Sequence, residues 1–274
     1  MTLTLYSPAP ASIRMHALNE VLGRRLSAAG IVSKVNAVAL PQAVNDICDL
    51  EVSKRAMHLP IMTAVDLLPA IRQTGPQWHS YTRANHDLRL LASLYDVGFG
   101  ISVFDPALQS PQDLKGRAVY CPPRPSSVRL LTEALLFDGW GLEGEVELID
   151  SRPPDLAPLI ADGTLVATSW NLVTLEGDVT TPLIPAQSRF LPIDDPTLEK
   201  MNAAMAAPLG DCFVDDTRLI AFRQGICVWD ETPHDLCRKI LGVLAGGGMP
   251  FFDDPARQTD WPGLARKHLH PSRS

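Results

Sequence analysis

The sequence predicts an α/β protein made of two lobes. Three observations carry this: short apolar runs alternate with amphipathic stretches, the alternation starts afresh near residue 98, and two apolar segments, Gly98–Asp105 and Arg218–Asp230, are long enough to cross between halves. Lobe I is expected to comprise residues 1–98 and 222–274, the latter with a C-terminal tail, and lobe II residues 99–221, with a ligand cleft between them.

The elements of the first half follow in order. Leu3–Tyr6 reads as a strand. Ser12 is placed to cap a helix with Ile13, Ala17, Val21 and Leu26 on its inner face, and Gly30 ends it. Ile31–Ala39 alternates like a second strand, and Pro41 opens the next helix. AMHLPIM (56–62) is a third strand, followed by a helix from Ala64 to Gln73, and DLRLLASLYD (87–96) is a fourth strand. Such alternation argues for a parallel sheet covered on both faces.

The second half repeats the scheme. GFGISVFD (98–105) is a strand entered through Gly98 and Gly100, and LKGRAVYC (114–121) runs into a proline-rich turn. Ser126 then caps a helix carrying Val128, Leu131 and Leu135 at helical spacing. EVELID (145–150), a helix over 153–163 closed by Gly163, and TLVATSW (164–170) come next. Asp195 and Pro196 open a helix, Arg218–Asp230 is a long strand, and Thr232 with Asp235 forms a near capping box before the last helix. The segment 253–274 is a Pro-rich tail.

Composition narrows the function. The chain has 274 residues, 46% hydrophobic and 20% charged, as a globular protein does. Its net charge of −7, from 24 basic and 31 acidic residues, argues against nucleic acid as a partner. The cysteines, Cys48, Cys121, Cys212, Cys227 and Cys237, form no CxxC pair and are odd in number, so free thiols are expected. No apolar run approaches the about 20 residues of a membrane span, so direct insertion is not expected. The N-terminus MTLTLYSPAP lacks the features of a secretory leader. A cytoplasmic placement follows for the chain as written, and a periplasmic one if a leader has been removed.

No GxGxxG, P-loop, GxSxG or HExxH motif is present, and no cofactor is expected. His268 and His270 make a lone pair in the tail, too few for a metal site, and none is expected.

The stretch from Ser93 to Leu142 resembles the TAXI family of solute receptors, which serve one class of TRAP transporters. The matching residues are Ser110, Asp113, Leu114, Lys115, Gly116, Arg117 and Val119, the turn and helix after them, Ala161–Leu165, and Leu269–Pro271 near the end. The DLKG run is shared with sulfonate-binding and thiamine-precursor-binding proteins. The resemblance implies a two-lobed type II periplasmic-binding-protein-like fold that closes on a small ligand, and a TRAP-type membrane transporter as partner. Three loops depart from the family pattern: SPAPASIR (7–14), CPPRPSS (121–127), and Val166 in place of an acidic residue.

In open α/β sheets ligands lie beyond the carboxyl ends of the strands. That rule selects Ser7, Ser12 and Thr63 in lobe I, and Arg124, Ser126, Ser127, Trp170 and Asn171 in lobe II. Arg124 offers a bidentate contact to a carboxylate, the serine turn offers N–H groups and hydroxyls, and Trp170 offers a face to an apolar body. Each also has a purely structural reading, as cap, solvated charge or core. The expectation is a solute-binding protein for a small anionic ligand, an organic or amino acid, with no catalytic residue assigned. A cytoplasmic enzyme on the same fold, using His16 or His58 as acid or base, and an effector-sensing domain are the alternatives.

Overall fold

The computed structural model describes residues 2–9, 14–150, 156–172, 188–214 and 216–246. Ser12, Ile13 and the tail with His268 and His270 lie outside the described residues. The chain forms two compact units: unit 1 is Met1–Tyr95 with Arg223–Ser274, and unit 2 is Asp96–Phe222.

Unit 1 holds β1 (Leu3–Ser7), α1 (Arg14–Ala28), β2 (Ser33–Ala37), α2 (Gln42–Cys48), α3 (Val52–Arg55), β3 (His58–Thr63) and α4 (Ala64–Arg72). It also takes the first half of β4 (Leu88–Val103), the last part of β10 (Thr217–Trp229), and α8 (His234–Ala245). The strand order is β2-β1-β3-β10-β4. β1 runs parallel to β2 and β3, whereas β10 is antiparallel to β3. Leu3, Leu5, Leu59 and Ile61 are fully buried, as the β-branched and apolar runs require of a sheet covered on both sides.

The buried face of α1 differs from the expected one. Met15, His16, Asn19, Leu22 and Leu26 face inward, while Ala17 is exposed and Val21 half-buried. The reason is Asn19, a polar residue that an apolar stripe cannot predict: its Nδ2 donates to Ser7 Oγ at 2.9 Å, which turns the helix toward β1.

Unit 2 holds the rest of β4, then β5 (Ala118–Tyr120), α5 (Ser127–Glu133), β6 (Glu147–Ile149), α6 (Leu156–Ala161), β7 (Leu165–Leu172), β8 (Arg189–Phe190), α7 (Asp195–Met205), β9 (Gly210–Val214) and the first part of β10. β5 pairs in parallel with β6 and β7, β7 is antiparallel to β4, and β8 and β9 add antiparallel edges to β4 and β10. α5 continues as a π-helical turn over Ala134–Gly139.

Three expectations are corrected. The fourth and fifth strands are one sixteen-residue strand, β4. Gly98 and Gly100 do not break it; a Cβ at Gly100 would stand 2.8 Å from Leu219 Cδ2, so close side-chain packing accounts for that glycine. The cap of α7 is Asp194, whose side chain accepts from the Thr197 N–H at 2.9 Å, not Asp195. Thr232 does not cap α8; its hydroxyl accepts from the Trp229 N–H at 3.1 Å. Among the described residues no helix is long and apolar enough to cross a membrane.

Candidate functional site

In unit 1 two parallel strands, β1 and β3, finish on buried hydroxyls at their carboxyl ends. Ser7 ends β1 with no exposure, and Thr63 ends β3 at 4% exposure. Both are held from behind. Ser7 Oγ accepts from Asn19 Nδ2, and Asn19 Oδ1 accepts from the Tyr95 hydroxyl at 3.2 Å. Burial pushes the Tyr95 hydroxyl well above its ordinary pKa, so it remains a donor at any physiological pH. Thr63 Oγ1 donates to Asp66 Oδ2 at 2.5 Å. Asp66 Oδ1 lies 3.1 Å from His79 Nε2, and both residues are fully buried. Tyr81 donates to the Asp66 carbonyl at 3.1 Å.

Gln224, the in-register partner of Thr63 on β10, completes this end of the sheet. It is fully buried, and neither of its amide atoms meets a hydrogen-bond partner.

In unit 2 the turn after β5 carries the arginine and the serines. Ser126 caps α5 and accepts from the Val128 N–H at 3.2 Å, as its position before an amphipathic stretch predicts. Ser127 is the first residue of α5. Arg124 Nη2 donates to Glu133 Oε1 at 2.7 Å, and Arg129 Nε reaches the same oxygen at 2.6 Å. Asp150 stands 3.6 Å from Arg129 Nη1. Arg124 is half-exposed and Glu133 mostly buried. Trp170 and Asn171 lie on β7, opposite Gly100 and Phe99 of β4; for these two the structure describes the backbone. Ser12 lies outside the described residues.

The structure thus brings Ser7 and Thr63 to the strand ends of unit 1, and groups Arg124, Ser126 and Ser127 at one turn of unit 2. Sequence reading missed Asn19, Asp66, His79, Glu133 and Gln224. Glu133 was accessible, since it stands four residues after Arg129 on a helix. Gln224 leaves a weaker trace, a polar pair in the apolar run LIAFRQGICVW (219–229).

Of the two histidines considered for catalysis, His58 sits away from these strand ends. His58 begins β3, five residues and roughly 16 Å of strand from Thr63. Its Nδ1 meets the Tyr6 hydroxyl at 2.8 Å, and burial, with Lys34 nearby, lowers its pKa. His16 lies on α1, 3.7 Å from Glu20. Burial pushes the Cys121 thiol, just beyond β5, up to about 11, which keeps it protonated and poorly nucleophilic at neutral pH. All five cysteines are free, and among the described residues no three His, Cys, Asp or Glu side chains gather as a metal site would need.

No family model matches the chain, and no curated protein matches it. Solved structures do. MatC from Rhodopseudomonas palustris, with bound malate, is 12% identical and aligns with a TM-score of 0.60 over 94% of this chain and 92% of that one. Rpa4515 from R. palustris, with adipate, is 16% identical with a TM-score of 0.58 over 91% and 84%. The periplasmic binding protein BugD is 12% identical with a TM-score of 0.55 over 93% and 84%. The fold is that of the type II periplasmic binding proteins. Ser7 and Thr63 stand at the carboxyl ends of β1 and β3 in unit 1, and the Arg124–Ser127 turn follows the carboxyl end of β5 in unit 2.

Proposed function

We propose that the protein is a solute receptor for a small carboxylate, an organic or amino acid, and that it is of the TAXI type, handing its ligand to a TRAP-type membrane transporter. The observation that carries the reading is the chemistry at the carboxyl ends of the parallel strands. Where an enclosed apolar core would finish on apolar side chains, β1 and β3 finish on buried hydroxyls, and β5 runs into a capped turn with an arginine. Arg124 is half-exposed beside Glu133, and the planar fork of its guanidinium suits a carboxylate. The ligands of the two R. palustris relatives, malate and adipate, are both carboxylates. The turn and helix after the DLKG run, with Ala161–Leu165, resemble the TAXI pattern.

A transporter-receptor role requires the mature chain to lie outside the cytoplasmic membrane, which fractionation of cells expressing the native gene would test. The enzyme alternative draws no support from His58, which stands at the opposite end of β3 from Thr63.

A thermal-shift screen of organic and amino acids tests the ligand class. A ligand that binds only the folded state adds about 2.7 kcal/mol of stability at a hundredfold excess over Kd. Arg124→Ala is expected to cost about 2 kcal/mol of binding through the lost charged contact. Glu133→Gln, which removes the carboxylate that competes for Arg124 and Arg129, is expected to tighten binding. If only neutral or cationic compounds shift the melt, the carboxylate reading is wrong. Conversion of a hit during incubation, followed by chromatography, would establish the enzyme instead.

A further inference from the structure

Gln224 stands at the start of the part of β10 that belongs to unit 1, directly opposite Thr63 in an antiparallel pair. Opposed residues in such a pair project from the same face of the sheet, so the amide lies beside the Thr63 hydroxyl at the carboxyl end of β3. The side chain has no exposure, and both Nε2 and Oε1 are without a hydrogen-bond partner. Leaving both ends of a buried amide unpaired is costly, and a bound ligand or an ordered water would supply the missing partners.

The neighbours have fixed polarities. The Thr63 hydroxyl gives its proton to Asp66 Oδ2, so Oγ1 presents only lone pairs to any further group. Ser7 Oγ accepts from Asn19, which leaves its own proton to be donated. Gln224 offers an NH2 group that donates and a carbonyl oxygen that accepts. This end of unit 1 therefore displays donors and acceptors together, where a bare carboxylate would need donors alone.

We infer that Gln224 is a ligand-contacting residue and selects acids with a hydroxyl or ammonium group beside the carboxylate. Nε2 donates to a carboxylate oxygen, while Oε1 and Thr63 Oγ1 accept from the neighbouring hydroxyl or ammonium. A plain dicarboxylate satisfies Nε2 and leaves Oε1 buried without a donor, and a site built to bond a hydroxyl rejects the analogue lacking it. The inference rests on the carboxylate reading above.

Calorimetric titration of the wild-type protein and of Gln224→Met with malate, aspartate and succinate tests it, together with the melting of both proteins without ligand. Methionine keeps the length of the side chain and removes both polar ends. The wild type is expected to prefer malate or aspartate to succinate. In the variant that acid is expected to lose about tenfold or more in affinity, the loss of one charge-assisted bond, while succinate changes much less. Without ligand, Gln224→Met is expected to melt no lower than the wild type, because an unpaired amide has been replaced by an apolar group. A lower melting temperature would make Gln224 a structural residue satisfied by water and overturn the inference. So would a variant that binds the acids with unchanged preference, and the carboxylate reading would then survive. A wild-type protein that binds none of the three acids overturns the carboxylate reading, and this inference with it.

Discussion

At the scale of single residues, burial decides which polar groups support and which remain to contact a ligand. Asp66 and Asn19 support: each accepts or donates behind a strand-end hydroxyl and so fixes its orientation. His58 gives a direct check on such burial. Burial, with Lys34 nearby, lowers its pKa in the folded state, so the unfolded chain takes up a proton first as pH falls below about 6.5. The stability this neutral histidine contributes is present above pH 6.5 and is lost as pH falls through its depressed folded value. Urea unfolding of the wild type and His58→Gln from pH 8 to 5 should therefore show the gap between them narrowing toward acid; a constant or widening gap would contradict the assignment. Some of this scale was legible in sequence. Ser126 is a good cap because it precedes an apolar periodicity, and the structure makes it one. Gln224 was not legible, because burial without a partner is a property of packing and not of residue type.

Elements are ordered by apolar periodicity, and this is why the succession of strands and helices could be read so far. It failed where a residue had a packing reason in place of a conformational one. Gly100 looks like a strand boundary, yet it lies inside β4 because no side chain fits against Leu219 there. Gly225 is the sharper case. A Cβ at that position would come within 2.3 Å of Leu90 Cδ1 and 2.8 Å of the Ala92 carbonyl oxygen, and a backbone atom cannot swing aside. Gly225→Ala is expected to destabilise the protein by about 1–3 kcal/mol, the usual cost of overpacking. Chemical denaturation reads this, and a neutral result would mean that β4 and β10 do not approach as closely as the structure has them. The inner face of α1 was misread for a related reason: its buried stripe includes Asn19, which a hydrophobic pattern passes over. Asp194 and Asp195 are adjacent carboxylates, and only the hydrogen bond to Thr197 tells which one is the cap.

For the whole molecule, the chain forms two compact units and has a known fold, while the ligand had to be argued from strand-end chemistry. Of the eight candidate residues, Ser7 and Thr63 lie at strand ends, Arg124, Ser126 and Ser127 lie in the turn after β5 or at the start of α5, Trp170 and Asn171 are placed on β7 by their backbone, and Ser12 lies outside the described residues. The central claim is that this chemistry recognises a small carboxylate. Isothermal titration of the purified protein with malate, adipate and aspartate, against a sugar and a diamine as neutral and cationic controls, tests it most directly. The account predicts saturable one-to-one binding of at least one acid, weakened in Arg124→Ala and absent for both controls. Saturable binding of the sugar or the diamine, with no heat from any acid, would contradict it.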